Sequence, residues 1–169
     1  MLRAAGEADR RAVLHWRNHP DVRAMSLTRH VIAPAEHDAW WDRSLADPAR
    51  RIMVYERYDV PSGVVTFFDL DPAAGSAWWG FYLDVDGLTE RGELLPAWIE
   101  ISREALRFAF DDLGLAVLHG EVLAGNEAVR AFNRRNRIRE VGSGTRDSDG
   151  TAETVIRLEA RPDDRGTSR

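Results

Sequence analysis

Apolar residues recur three or four positions apart in three stretches of the chain, and this spacing predicts helices. The first helix is predicted over residues 7–18, the second over residues 34–47 and the third over about residues 96–112. Prolines after the first two stretches and a glycine after the third are typical of helix ends. Residues 19–33 show no firm periodicity, so we expect a loop there.

Shorter runs rich in β-branched and aromatic residues predict strands at residues 52–58, 63–70, 76–85, 116–123 and 154–160. Turn-forming residues separate the first three runs, so these should form antiparallel hairpins. The third helix lies between the third and fourth runs, which should therefore pair in parallel through a right-handed crossover. We expect one α/β domain over residues 1–160, followed by a polar, disordered tail at 161–169.

Composition narrows the class of protein. The 169 residues are 44% hydrophobic and 30% charged, as in ordinary globular domains. With no cysteine, the chain has no disulfide, thiolate metal ligand or thiol nucleophile. No apolar run approaches the roughly 20 residues of a membrane span, and the first residues do not resemble a signal peptide. We therefore expect a cytoplasmic protein with no membrane partner.

All 23 basic residues are arginines, yet the formal net charge is −5. An acidic chain is a poor general binder of nucleic acid, which favours a concentrated basic surface. One local cluster is basic, and it has two interpretations. It is either a solvated helix face or a site for nucleotide phosphates. Its members are Arg130, Arg134, Arg135, Arg137 and Arg139.

Residues 118–142 are the most informative segment. They predict a strand, a Gly125-Asn126 loop, an amphipathic helix and a second short strand. The Asn126 side chain can cap that helix by accepting from free N–H groups of its first turn. A strand–Asn–helix–strand unit near the end of a chain of this size resembles the GNAT N-acetyltransferases.

That resemblance implies a GNAT fold, a central twisted mixed sheet of about six to seven strands flanked by four helices. It also implies acetyl-CoA as the cofactor, lying between two strands that splay apart. In the family, the loop asparagine contacts the pantetheine arm and the following helix flanks the thioester. The corresponding contacts would fall on Tyr82, Leu83, Val85, Arg91, Gly92, Ala97, Asn126, Phe132 and Asn133.

Three short motifs resemble a narrower group, the amino-sugar N-acetyltransferases of pseudaminic acid biosynthesis. These motifs are Arg17-Asn18-His19-Pro20, Ile32 followed by His37, and Leu118-His119-x-Glu121-Val122 with Asn126. The narrower resemblance implies a UDP-linked amino sugar as the acceptor and allows a homodimer. The acceptor would contact Met25, His37, Trp40, Trp78 and Glu121.

The sequence departs from the family pattern at two places. The usual glycine-rich loop before the third helix is replaced by Leu94-Leu95-Pro96-Ala97, with Arg91-Gly92 upstream. The helix N-terminus would still offer N–H groups and a favourable dipole to a phosphate. The frequent general-acid tyrosine corresponds to Asn133, which can donate a hydrogen bond to a leaving thiolate but has no proton to give.

Acetyl transfer to an amine requires a group that accepts the amine's proton, because an alkyl ammonium has a pKa of about 10. Glu121 is the preferred base, acting directly or through water. The alternative is that Glu121 is a structural partner of an arginine. His119 lies two residues away and shares its strand face, although it could also be a satisfied buried histidine.

The developing oxyanion would be met by backbone N–H groups around Gly80, Phe81 and Tyr82. Gly80 could mark a bulge or could make space for a tryptophan. One of Trp78 and Trp79 should face the acceptor or an interface, because adjacent strand residues point to opposite faces.

Three alternatives stay open at this point. His15 and His19 could suggest a metal pair, but Pro20 ends the helix there and no third ligand is obvious, so we expect no metal site. The acceptor could be a peptide N-terminus or a small natural-product amine. The chain could also be a degenerate GNAT fold that binds a ligand without transfer.

Overall fold

A computed structural model describes residues 1–164. Its helices are α1 (Arg10–Asn18), α2 (Pro20–Ala24), α3 (Pro34–Ala46), α4 (Val85–Glu90), α5 (Leu94–Arg107) and α6 (Glu127–Arg135). Its strands are β1 (Leu2–Ala4), β2 (Arg51–Arg57), β3 (Val60–Asp71), β4 (Ser76–Leu83), β5 (Val117–Leu123), β6 (Arg139–Ser148) and β7 (Thr151–Ala160). Short 3₁₀ turns cover Glu7–Asp9 and Pro162–Asp164, and a π-helical turn at Phe108–Asp112 continues α5.

The strands form one seven-stranded mixed sheet in the order β1-β2-β3-β4-β5-β7-β6. Among the strands of residues 1–164, only β4 and β5 are parallel neighbours, and α5 forms the crossover between them. The predicted α/β architecture with a mixed sheet is therefore confirmed.

Helices cover both faces of the sheet. On one face, α5 buries Ala97, Ile101 and Ala105 in the main core. On the other face, α1 and α3 close a smaller cluster that includes Val13 and Trp41, both fully buried. Burying a side chain such as Ile101 or Val13 contributes roughly 1.5–3 kcal/mol, so both layers stabilise the domain.

Several elements are shorter or longer than the sequence pattern predicts. The pattern missed β1 and also α2, where the His19 side chain caps the helix by accepting from the N–H of Asp21. It missed α4, which Asp84 caps by accepting from the N–H of Gly87. Residues 1–164 form six helices where four were expected. The two additional helices have five and six residues, which is too short to show periodicity.

The ends of the predicted elements also shift. Helix α5 begins at Leu94, so Pro96 lies within its first turn. The short strand expected after α6 is a ten-residue strand, β6. The predicted tail begins with the Pro162–Asp164 turn, and residues 165–169 lie outside the described part of the chain.

Two features are absent from residues 1–164. No helix there combines the length and apolar character needed to cross a membrane. No group of three or more His, Asp or Glu side chains in that range is arranged to hold a metal ion.

Candidate active site

The sheet opens between β4 and β5. Their parallel pairing runs only from Ser76–Val117 to Trp78–His119, although β4 continues to Leu83 and β5 to Leu123. Beyond that point β5 pairs with β7 on its other side. The two strands therefore part and leave a wedge-shaped gap, which we call the slot.

The register of β4 determines which backbone groups face the slot. The N–H of Asp84 donates to the carbonyl of Ser62 at 2.9 Å, and the pairing from Leu83–Gly63 to Trp78–Phe68 is unbroken. Backbone groups of alternate residues point to the same neighbouring strand. Those of Gly80 and Tyr82 therefore face β3, and those of Phe81 and Leu83 face the slot.

This register corrects two expectations about the oxyanion donors. Of the three residues proposed, only Phe81 directs its N–H into the slot. Gly80 is not a bulge, because its pairing with Thr66 lies within the unbroken register. It does not make space for a tryptophan either, since a Cβ placed there would meet nothing within 4 Å.

The side chains expected to hold the cofactor have different environments. The Leu83 side chain is buried in the main core, so only its backbone reaches the slot. Tyr82 packs against the smaller cluster on the other face, and burial raises the pKa of its hydroxyl. Val85 begins α4, and the Ala97 side chain is fully buried.

The N-terminus of α5 offers few donors. Leu94 and Leu95 have N–H groups without partners inside the helix, but Pro96 has no N–H and Ala97 donates to the carbonyl of Glu93 at 2.9 Å. Ala97 is therefore not a phosphate donor. Just upstream, Gly92 adopts a left-handed conformation (φ 67°).

Arg91 lies just before the N-terminus of α5, beside β3. Its Nη2 donates to the Ser62 hydroxyl at 3.2 Å and its Nε to Glu93 at 3.3 Å. The guanidinium is therefore already engaged by the protein at the place where an anionic ligand would arrive.

On the β5 side of the slot, Asn126 caps α6 as predicted. Its Oδ1 accepts from the N–H of Val129 at 3.3 Å, and the residue is 9% exposed. Asn133 is buried within the same helix. Phe132 contacts Trp98 of α5, with ring centroids 4.2 Å apart.

Glu121 lies on β5 and is held by an arginine. Its Oε1 accepts from Arg146 Nη2 at 2.6 Å and its Oε2 from Arg146 Nε at 3.0 Å. The structure thus shows the arginine pairing that was the alternative for Glu121. A carboxylate has about four lone-pair positions, so the pairing leaves acceptor capacity for a water molecule.

His119 shares this sheet face. Its ring lies 5.3 Å from that of Trp78, and its Nδ1 is 3.7 Å from Glu159. The side chain is 28% exposed, so it is not a buried histidine. Trp79 points to the opposite face, against Phe81 and Gly120, so Trp78 is the member of the pair on the face that carries His119 and Glu121.

The Arg17-Asn18-His19-Pro20 motif organises the segment before α3. The Asn18 amide donates to the carbonyl of Ile32 at 2.9 Å and accepts from the N–H of Ile32 at 2.8 Å. Arg17 Nη2 donates to the carbonyl of Thr28 at 3.0 Å. Within residues 1–164, Arg17 Nη1 is buried without a hydrogen-bond partner, and burial lowers the pKa of this guanidinium.

His37, Trp40 and Met25, the other residues expected to contact the acceptor, do not form one cluster. His37 is 3% exposed and its Nε2 lies 3.0 Å from the carbonyl of Arg10, so it joins α3 to α1. Burial lowers the pKa of His37. Trp40 packs against His37 and the smaller cluster. Met25 is 57% exposed, so it is the one of these three that is open to solvent.

The tip of the β6–β7 hairpin reaches back to the segment before α3. Ser148 Oγ donates to the carbonyl of Leu27 at 2.5 Å. Asp149 accepts from the N–H groups of Arg29 and His30, and its carboxylate also lies 3.1 Å from the His30 ring. We call this contact the hairpin latch, and it was not predicted from the sequence.

The arginine cluster of α6 is partly neutralised. Arg130 and Arg134 both bind Glu140, and the hydrogen bond from Arg130 lowers the pKa of that carboxylate. Arg139 lies within 3.9 Å of Glu159. These pairings favour the solvated-face interpretation of the cluster over a phosphate site.

The backbone groups of the slot suit the arm of an acyl-CoA. Two strands that part leave unpaired backbone groups of Phe81 and Leu83, which can bind an extended amide-containing chain. The α5 entrance adds the N–H groups of Leu94 and Leu95. Together these donors would hold the carrier, and the acyl end would lie near Phe81 and α6.

Comparisons with known proteins agree with this geometry. The acetyltransferase (GNAT) domain model matches residues 1–139. The spermidine N-acetyltransferase from Vibrio cholerae in complex with CoA and spermine superposes with a TM-score of 0.78 at 16% identity, covering 97% of this chain and 96% of that chain. A second structure of the spermidine/spermine enzyme from Vibrio cholerae, with manganese ions, gives a TM-score of 0.74 at 17% identity, covering 95% and 91%.

At these identities the likeness establishes the fold, and the domain match establishes the family. No curated protein sequence matches the chain. The slot, the capped α6 and the domain match together show that this chain belongs to the GNAT family and is an N-acetyltransferase that uses acetyl-CoA.

Proposed function

We propose that this enzyme acetylates the primary amine of a small acceptor that also carries an anionic group, with a nucleotide-linked amino sugar as the preferred class. The observation that carries the proposal is the buried, unpartnered Nη1 of Arg17. A buried donor without a partner costs free energy, and a phosphate or carboxylate of the acceptor would satisfy it.

The charges around the acceptor side support an anion over a polycation. Three acidic side chains there already have basic partners. Glu121 binds Arg146, Glu153 lies 2.8 Å from Arg29, and Asp149 binds His30. A polyamine needs carboxylates that are free to pair with it, whereas these are occupied.

In the proposed reaction, different residues of the chain bind the proton, the oxyanion and the thiolate. Acetyl-CoA, when bound, supplies an acetyl group activated as a thioester. Glu121 accepts the amine's proton through a water molecule, with Arg146 fixing its orientation, and His119 lies beside it on the same face. The N–H of Phe81 donates to the carbonyl oxygen as it gains charge. Asn133 of α6 donates a hydrogen bond to the departing thiolate.

A polyamine is the second candidate, because the two similar solved structures are spermidine or spermidine/spermine N-acetyltransferases. A peptide N-terminus or a small natural-product amine would also suit an amine site. The predicted cytoplasmic location and homodimer stay predictions.

A panel of acceptors tests the proposal. CoA release is followed with nucleotide-linked amino sugars, spermidine and short peptides at equal concentration. We expect the highest kcat/KM for a nucleotide amino sugar. Turnover of spermidine or peptides alone would overturn the proposal.

A variant links the panel to Arg17. Since a hydrogen bond to a charged group is worth about 1.5–3 kcal/mol, Arg17→Gln should lower kcat/KM for the anionic acceptor roughly 10- to 100-fold. The affinity for acetyl-CoA, measured by calorimetry, should not change. The exposed Arg11→Gln on the same helix serves as the control and should behave as wild type. Equal loss with a neutral amine would show that Arg17 acts only on the fold.

A further inference from the structure

Trp98 and Phe132 join the two helices that border the slot. Helix α5 packs on β3 and β4, and α6 follows directly from β5. The two rings lie 4.2 Å apart between centroids and are tilted by 49°. The contact therefore bridges the slot from its β4 side to its β5 side.

The pair lies on the same face of the sheet as the side chain of Phe81, the residue whose backbone opens into the slot. Trp98 and Phe81 both pack against the main core, and Val129 of α6 packs there as well. Phe81 is the residue whose backbone opens into the slot, and its ring stacks on Trp79 at 5.6 Å. The bridging rings thus lie on the face of the sheet that α5 covers, where a pantetheine arm entering the slot from that face would pass between α5 and α6.

The spacing of the rings leaves no room for that arm. Carbon atoms in contact lie about 3.5–4.0 Å apart, so a chain that passes between two rings needs roughly twice that separation. The rings are already in contact, so one of them must move before a carrier can pass.

We propose that Trp98 and Phe132 form an aromatic gate across the acyl-donor slot, and that the gate must part for acetyl-CoA to bind. The gate concerns the donor, so it does not depend on the acceptor proposed above. Apolar packing alone holds the pair together, and packing of this kind reforms without breaking a hydrogen bond.

The first test measures binding without turnover. The association rate and affinity of CoA are measured for wild type, Trp98→Leu and Phe132→Leu. The matched control is Ile99→Ala, an exposed neighbour of Trp98 on α5. We expect both gate variants to bind CoA faster and more tightly, by roughly two- to tenfold, which is the range that an aromatic pair contributes. Thermal unfolding confirms that each variant is folded.

The second test observes the gate itself. Tryptophans are labelled with fluorine, and the Trp98 resonance is assigned from the spectrum of Trp98→Phe. We expect this resonance to shift when CoA is added to wild type, and the shift in Phe132→Leu to be smaller.

An unchanged Trp98 resonance at saturating CoA would overturn the gate, as would wild-type association rates in both leucine variants. Failure of every variant to bind CoA would overturn it too. A failed acceptor panel together with faster CoA binding would remove the acceptor proposal and keep the gate.

Discussion

Glu121 carries the proton transfer in the proposed chemistry, and its pairing with Arg146 fixes the carboxylate in place. We expect Glu121→Gln to lower kcat by about 10²- to 10⁴-fold, the usual contribution of a general base. The affinity for acetyl-CoA should stay the same, because Glu121 lies on the proposed acceptor face. Steady-state kinetics and calorimetry measure the two effects. A glutamine variant with wild-type kcat would remove Glu121 from the mechanism.

Two glycines show how residue position decides the effect of one methyl group. A Cβ at Gly63 would lie 2.8 Å from Leu83 Cδ2 and 2.9 Å from the carbonyl of Tyr82. Overpacking of this kind costs about 1–3 kcal/mol, so Gly63→Ala should destabilise the protein. Gly80→Ala is the matched control, since its Cβ meets nothing within 4 Å. Thermal unfolding distinguishes them, and equal melting temperatures would contradict the packing described for β3 and β4.

The hairpin latch is an element-scale contact with a pH dependence. The carboxylates of Asp149 and then Glu36 raise the pKa of His30 above its ordinary value of 6.5. A histidine with a raised pKa stabilises the folded state fully below its unfolded pKa, and that stabilisation is lost as pH rises through the folded pKa. The latch should therefore loosen from about pH 6.5 upward.

Amide hydrogen exchange of the β6–β7 hairpin measures this loosening. We expect exchange at the tip, corrected for its intrinsic pH dependence, to rise across that window in wild type. In His30→Gln the corrected exchange should be independent of pH. Asp149 keeps its two backbone hydrogen bonds in that variant, so the hairpin should stay docked. If exchange in wild type did not depend on pH, His30 would not contribute to the stability of the latch.

Local elements were the predictable part of the fold. Apolar residues three or four apart predict helix α6, and an asparagine directly before them, Asn126, predicts its cap. Helices α2 and α4 each depend on one capping side chain, and neither is long enough to show a periodic pattern. Strand β1 has three residues, and its pairing with β2 cannot be inferred from its own composition.

The candidate site was less predictable, because its contacts depend on the whole molecule. Arg146 reaches Glu121 across β7, between residues 25 positions apart, and the register of three strands decides that contact. The burial of His37 likewise depends on how α1 packs against α3. Sequence motifs identified the strand that carries Glu121, but they could not identify the partner or the buried orientation.

The hairpin of β6 and β7 brings a different part of the chain to the proposed acceptor side. The family model matches residues 1–139, and Arg146, Asp149 and Glu153 all follow that segment. The backbone groups expected to hold the donor, in contrast, all lie before the hairpin. Replacing residues 139–160 with those of another GNAT enzyme should therefore change the amine preference. The use of acetyl-CoA as donor should be kept, so the acceptor specificity could be redesigned through this hairpin alone.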